Sequence, residues 1–303
     1  MSENKKIFAT PKTRKFAREL GANMAEIEGS ERAGRITEND VKNYINNKLN
    51  KSNKKEETKI KKEYDHSDFG DVEIIDMPRV KRLAAPHLSN SWNTIPHVTH
   101  HDEADITELE DFRAKLTDTI SGDKIKITPL AFIAKALTNN LKKFPTFNSS
   151  IDNIKDGKIT LKKYFHIGIA VDTPHGLMVP KIRNVDQMKI KEIAEELKNV
   201  SELSRNLKIN KKEFFGGSIT ITSLGGIGGT YFTPIINYPE VAILGVGRSY
   251  KKQIFIKDKF LARTILPISL SYDHRIIDGA EAAKFCNSLK ENLGKNFAYN
   301  LAF

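Results

Sequence analysis

Apolar residues recur along this chain in three rhythms, and the changes of rhythm divide it. Between residues 7 and 48 two helical patterns stand out. Thr10-Pro11 puts a capping residue before a proline at the first helical position, Lys12 to Leu20 follow, and Gly21 stops the run. A second helix is expected from about Thr37, with Asp40 as an acidic first-turn residue and Val41, Tyr44 and Ile45 on its apolar side. Gly29-Ser30-Glu31-Arg32-Ala33-Gly34-Arg35 between them reads as a glycine-punctuated loop. Some forty residues bury little apolar surface, so this piece is expected to be a domain of marginal stability. In residues 49–72 lysine dominates and almost nothing apolar recurs, which predicts a flexible charged linker.

Residues 73–303 read as one larger domain. Helical periodicity covers Ile106–Thr117, Pro129–Phe144, Lys189–Leu207 and Ala280–Leu293. Runs rich in Ile, Val and Thr predict strands at His97–Asp102, Tyr164–Asp172, Ser218–Thr222, Val241–Gly247 and Ile265–Tyr272. The elements are mixed without regular β-α-β spacing, which points to an α+β, mixed-sheet fold and away from Rossmann or TIM patterns. No repeat of 20–50 residues is present.

Composition narrows the setting. Of 303 residues, 39% are hydrophobic and 29% charged, enough to bury a core in most of the chain. The single cysteine, Cys286, excludes a disulfide framework and any CxxC motif, and fits a reducing cytoplasm. The polar start, Met1-Ser2-Glu3-Asn4-Lys5-Lys6, does not read as a secretory signal. A long uncharged run, Gly216 to Pro239, has the length of a bilayer span, but its six glycines and many hydroxyl residues do not suit lipid, so no membrane association is expected. Net charge is +11, spread along the chain with no Arg-rich or aromatic-interleaved stretch. It therefore reads as a lysine-rich surface rather than a nucleic-acid site, and it would favour approach of a phosphate-bearing substrate.

GxGxxG opening a helix, GxxxxGK[ST], HExxH and GxSxG are all missing. His97, His100 and His101 lie close in sequence. Strand alternation sends neighbours to opposite faces, and no further ligand follows at metal spacing, so no metal site is expected.

The chemistry concentrates in Leu266-Pro-Ile-Ser-Leu-Ser-Tyr-Asp-His274-Arg-Ile-Ile-Asp278-Gly279. An apolar strand delivers His274 at its end, where an imidazole that titrates near neutrality can take and return a proton. Asp278, with Glu281 three residues on, also suits a helix N-cap.

His-Arg-x-x-Asp-Gly resembles the motif of the 2-oxo acid dehydrogenase acyltransferases, whose HxxxDG core is shared with chloramphenicol acetyltransferase. The surroundings are similar too, and specifically to the acetyl-transferring members that serve pyruvate dehydrogenase complexes. They are Ile95-Pro-His-Val-Thr-His-His-Asp-Glu-Ala-Asp-Ile-Thr-Glu-Leu-Glu, Phe147-Asn-Ser-Ser, Leu161-Lys-Lys-Tyr, Ala170-Val-Asp-Thr-Pro-His-Gly-Leu and Tyr238-Pro-Glu-Val-Ala-Ile-Leu-Gly-Val. This likeness covers roughly residues 77–303. Ala9-Thr-Pro-Lys-Thr-Arg14-Lys-Phe-Ala-Arg18-Glu-Leu-Gly21 and Gly34-Arg35-Ile-Thr-Glu-Asn-Asp40-Val resemble the same proteins' peripheral subunit-binding domain.

The resemblance implies a small helical subunit-binding domain at 7–48, a tether at 49–72 and a chloramphenicol acetyltransferase-like catalytic domain at 73–303. It implies acetyl transfer between dihydrolipoamide and coenzyme A, with His274 as general base, a Thr222 hydroxyl stabilising the tetrahedral intermediate, and Asp278 holding the His274 loop. Acetyl and branched-chain members generally carry Ser where this chain has Thr222, and succinyl-transferring members carry Thr, so a member of the family that transfers another acyl group is the alternative. Arg113, Thr128, Asp172, Ser223 and Gly247 match positions that contact coenzyme A. Arg14 and Arg35 match positions that grip the pyruvate decarboxylase or dihydrolipoyl dehydrogenase partner. Glu31 departs from a usual glycine. Trimers are implied with His274 and Thr222 on opposite sides of a subunit interface, eight of them building a hollow 24-subunit cube. The usual lipoyl domain is not represented; Gly122-Asp-Lys124-Ile is the nearest fragment, so the lipoyl group is expected from another domain or chain. A non-catalytic scaffold that has lost its base is the different-class alternative, and His274 speaks against it. A transferase acting on a free small molecule is disfavoured by the subunit-binding resemblance.

Overall fold

The computed structural model describes residues 8–53, 64–117, 122, 124–153 and 156–298. It divides into two units, one up to Ile74 and one from Ile75. Among the described residues no helix is long and apolar enough to cross a membrane.

In the first unit, α1 (Pro11–Glu19) starts where Thr10 and Pro11 place it. The Thr10 hydroxyl accepts the Thr13 N–H at 3.2 Å, and at the far end Ala22 N–H closes onto the Ala17 carbonyl around left-handed Gly21. Helix α2 (Glu38–Asn53) is held by Asp40, whose carboxylate accepts from the backbone and hydroxyl of both Thr37 (2.9 and 2.9 Å) and Ser30 (3.1 and 3.1 Å). Thr37 Oγ1 in return accepts the Asp40 N–H at 3.3 Å, a reciprocal cap. The helix runs on to Asn53, into the stretch expected to be linker; residues 54–63 lie outside the described residues. The core is small: Ala17, Ile27, Ile36 and Val41, with Phe16, Met24, Tyr44 and Ile45 partly covered around it. Gly29 is required by contact, since a Cβ there would sit 2.4 Å from the Arg35 carbonyl carbon. Glu31 adopts extended backbone (φ −85°, ψ 168°), which any residue can occupy, so its departure from glycine leaves the loop intact.

The second unit is built on a seven-stranded mixed sheet. Its order is β1 (His97–Asp105), β9 (Lys259–Asp273), β7 (Ala242–Val246), β6 (Ile219–Ser223), β4 (Ile167–Ile169), β5 (Lys181–Ile182), with β8 (Tyr250–Ile256) pairing β9. Strands β4, β6 and β7 run parallel, and β9 runs antiparallel to β1, β7 and β8. A separate hairpin pairs β2 (Ser149–Asn153) with β3 (Lys158–Leu161). The parallel strands are buried along most of their length, as continuous apolar runs require. Helix α5 (Pro129–Lys143) buries ten of its residues, and α6 (Ile190–Arg205) and α7 (Gly279–Leu293) pack against it. Helix α4 (Thr107–Ala114) links β1 to the segment before α5.

The α+β, mixed-sheet expectation holds. Helix α3, strands β2, β3 and β5, and the β8–β9 hairpin were not expected. Helix α3 (Arg79–Thr94) carries Pro86 in its interior and leaves Leu83, Leu88 and Trp92 exposed, so it has no buried apolar stripe to read. Strands β2 and β3 are short. The β8–β9 hairpin turns through Lys257 and Asp258, both left-handed, without the Asn-Gly or Asp-Gly pair that marks such turns.

The four hydrogen bonds to Asp40 hold its carboxyl down to about 2, from an ordinary value of 3.8, with the Thr37 backbone N–H the largest cause. Because the folded value is depressed, the stabilisation is complete above the ordinary value and disappears as pH falls towards 2. Protection factors of the α2 amides in the full chain, normalised to intrinsic exchange, should therefore fall between about pH 4 and pH 2, and Asp40→Ala should show that reduced protection already at pH 6. Equal α2 protection at pH 6 in both proteins would contradict this role for Asp40.

Candidate active site

Strand β9 ends at Asp273, whose buried carboxylate makes the turn that follows. Oδ1 accepts Arg275 N–H at 3.0 Å, and both oxygens take the guanidinium, with Nε–Oδ1 at 2.8 Å and Nη2–Oδ2 at 2.5 Å. Ile276 and Ile277 N–H close onto the Asp273 carbonyl, and the Ile277 side chain is fully buried. His274 N–H donates to the Pro96 carbonyl at 3.1 Å, while its imidazole is exposed beside Tyr272, 5.9 Å between ring centres. A buried clamp on each side thus fixes the main chain of an accessible imidazole. Asp278 is the N-cap of α7, its Oδ1 accepting Glu281 N–H at 2.7 Å, so it fixes where the His274 turn ends.

Thr222 and Ser223 close β6, level with Gly245 and Val246 in the parallel ladder, and Gly247 follows directly after β7. Ser223 Oγ accepts Gly225 N–H at 3.4 Å. Gly247 permits the glycine-rich segment to pass close by: a Cβ there would lie 2.1 Å from the Thr230 carbonyl oxygen. Asp172, exposed, follows β4 on the same carboxyl edge. The structure therefore brings Thr222, Ser223, Gly247 and Asp172 to one edge of the sheet. Arg113 and exposed Thr128 form a neighbouring pair, since Arg113 Nη1 donates to the Ile127 carbonyl at 3.1 Å while the rest of the guanidinium holds Glu110. Thr128 precedes α5 without capping it through its side chain. In the first unit, Arg14 and Arg35 are exposed beside the Ala9–Ile36 bridge, with Arg14 Nε donating to Ala9 O at 3.4 Å.

His274 and Thr222 are not brought together within one chain. Thr222 is level with Gly245 on β7 and Gly245 with Ser269 on β9, but β9 runs the opposite way and His274 lies five residues beyond Ser269. At ~3.3 Å per residue and ~4.8 Å per strand, the two are roughly 20 Å apart.

The clustered histidines separate by partner. His101 Nδ1 lies 2.9 Å from Ser269 Oγ, His100 Nε2 lies 4.0 Å from Asp102, and His97 is engaged by backbone on both nitrogens. Among the described residues no group of three or more His, Cys, Asp or Glu side chains could hold a metal.

One ion pair escaped the sequence reading. Lys181 Nζ donates to Glu240 Oε1 at 2.7 Å with both residues about 2% exposed. Thr220 Oγ1 donates to Glu240 Oε2 at 2.6 Å, and Asn237 Nδ2 to Oε1 at 2.9 Å. A lone glutamate inside the apolar run Tyr238-Pro-Glu-Val-Ala-Ile-Leu was the available sign. It ties β5 and β6 to the segment before β7.

Residues 69–299 match the 2-oxoacid dehydrogenases acyltransferase (catalytic domain) family, and residues 7–42 match the e3 binding domain. The chain belongs to the 2-oxoacid dehydrogenase acyltransferase family. It is 45% identical, over 93% of its length and 53% of the relative's, to the dihydrolipoyllysine-residue acetyltransferase component of the pyruvate dehydrogenase complex of Cupriavidus necator. The same component of Buchnera aphidicola subsp. Baizongia pistaciae is 43% identical over 95% of this chain and 71% of its own. The chain spans about half the length of several of the curated relatives it matches. Its structure resembles the cubic core of the pyruvate dehydrogenase multienzyme complex, with a TM-score of 0.74 and 44% identity over 78% of this chain and 96% of that one. Equally similar is the dihydrolipoamide acetyltransferase of Azotobacter vinelandii, studied for the catalytic roles of a serine, a histidine and an asparagine. Those three are spaced by 52 and 4 residues, the intervals that separate Thr222, His274 and Asp278 here.

Removing one partner of a buried ion pair leaves the other charge uncompensated. Lys181→Met should cost about 3–5 kcal/mol of stability in denaturant unfolding. A change below about 1 kcal/mol, the range of exposed pairs, would contradict the buried assignment.

Proposed function

We propose that this chain transfers acetyl groups between dihydrolipoamide and coenzyme A and forms the core of a pyruvate dehydrogenase complex. The observation that carries the reading is the exposed imidazole of His274 on a clamped turn, at the sheet edge opposite the Thr222 hydroxyl. Separated by roughly 20 Å in one chain, the two groups act together when a second copy presents its Thr222 edge to the His274 turn, as in a trimer. The likeness to the cubic core supports trimers assembling further, to a 24-subunit cube.

In this reading His274 takes the proton from the coenzyme A thiol. The thiolate attacks the acetyl thioester carbonyl, and the developing oxyanion accepts a hydrogen bond from Thr222. Collapse breaks the bond to the dihydrolipoamide sulfur, which receives the proton back from the imidazolium. Asp278 acts by ending the turn as the α7 cap. Ser223, Gly247 and Asp172, with the Arg113–Thr128 pair, supply the coenzyme A contacts. The lipoyl group arrives on another domain or chain, and no metal takes part.

Residues 7–48 would capture the decarboxylase or dihydrolipoyl dehydrogenase through Arg14 and Arg35, residues 49–72 tether them, and 73–303 catalyse. The e3 binding match supports the dehydrogenase as a partner. A cytoplasmic setting is supported by the single thiol, Cys286, which is buried. A second reading, a larger acyl group, rests on the extra methyl of Thr222; comparing acetyl-, succinyl- and isobutyryl-CoA as donors to dihydrolipoamide separates the two.

His274→Ala should lower kcat for acetyl transfer by roughly 10²–10⁴, as loss of a general base does; full activity in this variant would overturn the assignment. Deleting residues 1–50 should abolish capture of the peripheral enzymes and spare acetyl transfer with free dihydrolipoamide. Unchanged capture would remove the docking role.

A further inference from the structure

We infer that His97 is a positioning residue for His274, acting through a closed circuit of main-chain hydrogen bonds around the catalytic turn; this rests on the reading of His274 as the base. His97 lies at the start of β1, half-buried, its ring 5.3 Å from that of Trp92. Both ring nitrogens are committed to backbone. Nδ1 lies 2.7 Å from the Ile95 carbonyl, which can only accept, so Nδ1 carries the proton and donates. Nε2 then accepts the Ile236 N–H at 3.0 Å, and Ile236 is fully buried.

The circuit closes through His274 itself. The Pro96 carbonyl, adjacent to His97, accepts His274 N–H at 3.1 Å. One residue earlier, Asp273 N–H donates to the Val241 carbonyl at 2.8 Å. Val241 and Ile236 belong to the same segment, whose Glu240 is anchored in the interior by Lys181 and Thr220. Going round, the path runs Ile236, His97, Pro96, His274, Asp273, Val241 and back along the chain. The His97 ring is the side chain that closes it. Ile95, Ile236 and Ile243 pack as a separate apolar cluster, and Ile236 is fully buried, so loss of the Nε2 acceptor leaves its N–H unsatisfied at a cost. Relief comes through movement of the 236–241 segment or of the Ile95–Pro96 corner, and each carries an anchor of the catalytic turn. A displacement of the base by about 1 Å is enough to lower the chemical step without affecting binding of coenzyme A on the opposite sheet edge.

The test compares three variants of the assembled full chain, measuring kcat and the KM for coenzyme A in acetyl transfer to dihydrolipoamide. His97→Phe keeps the ring against Trp92 and loses both hydrogen bonds. His97→Gln places an amide oxygen near the Nε2 position and can still accept from Ile236. His97→Asn keeps a group at the Nδ1 position and does not reach Ile236. Expected are kcat values at least ~10-fold low for Phe and Asn, near wild type within ~3-fold for Gln, and a KM for coenzyme A within ~2-fold throughout. Wild-type kcat in His97→Phe, equal losses in Gln and Asn, or KM rising in step with the fall in kcat would each overturn the inference. If His97→Phe does not assemble, the Gln–Asn difference decides. His274→Ala separates the two levels: full activity there removes the base assignment itself, whereas an inactive His274→Ala beside a fully active His97→Phe removes only the positioning role.

Discussion

Strand direction governs this molecule. Because β6 and β7 run parallel and β9 runs against them, hydroxyl and imidazole emerge at opposite edges of one rigid sheet. Hydrogen-bonded ladders do not stretch, so no local rearrangement closes a gap of roughly 20 Å. The sheet is stiffest where this matters: β9 pairs with β1 over nine residues and with β7 over five, and its inner half is buried. In the proposed reading, a monomer built this way holds each group in fixed geometry and assembly brings the second one, so oligomerisation is a condition of that chemistry rather than an addition to it.

The interior charge at Glu240 belongs to the same logic. An ionised carboxylate away from water costs several kcal/mol unless its lone pairs are satisfied. Here Lys181, Thr220 and Asn237 all donate to it, drawing on β5, β6 and the segment that precedes β7. An apolar side chain of similar volume could fill the space, but it would not dictate the path of residues 236–241. That path delivers the Ile236 N–H to His97 and the Val241 carbonyl to Asp273. The buried pair therefore fixes a loop at the His274 turn from deep in the interior. Its strength comes from the low local dielectric that also makes an unpaired member so costly.

What could be read from the sequence follows from how locally each feature is determined. The starts of α1 and α7 were legible because a cap and its acceptor lie within three residues, as with Thr10 and Asp278. Helices α5 and α6 announced themselves through apolar periodicity. Helix α3 could not, since Pro86 interrupts it and its Leu83 and Trp92 face outward. The outer half of β9 was missed for a related reason: residues 259–262 are exposed and pair only with β8, so no apolar run marks them. At the site, His274 stood out by motif, and so did Asp278. Glu240 and His97 were visible as residues but not as roles, because, apart from nearby Asn237 and Ile95, their partners lie 20 to 139 positions away and only the folded sheet brings them together.

In the proposed reading, Thr222 departs from serine at the oxyanion donor. Serine and threonine offer the same donor to an oxyanion, but they differ in freedom. The second heavy substituent on the threonine Cβ restricts χ1, and on a strand it does so strongly. A donor held in one direction before the reaction loses little entropy when charge develops, which is what stabilisation by a preorganised group requires. Thr222 pairs with Gly245 in the β6–β7 ladder, one residue past the last β4 pair at buried Ile221, so the sheet holds its backbone. The methyl therefore need not oppose acetyl transfer. Its consequence for selectivity depends on whether it faces the acyl group or the sheet, and the rotamer that directs the hydroxyl at the intermediate settles that at the same time.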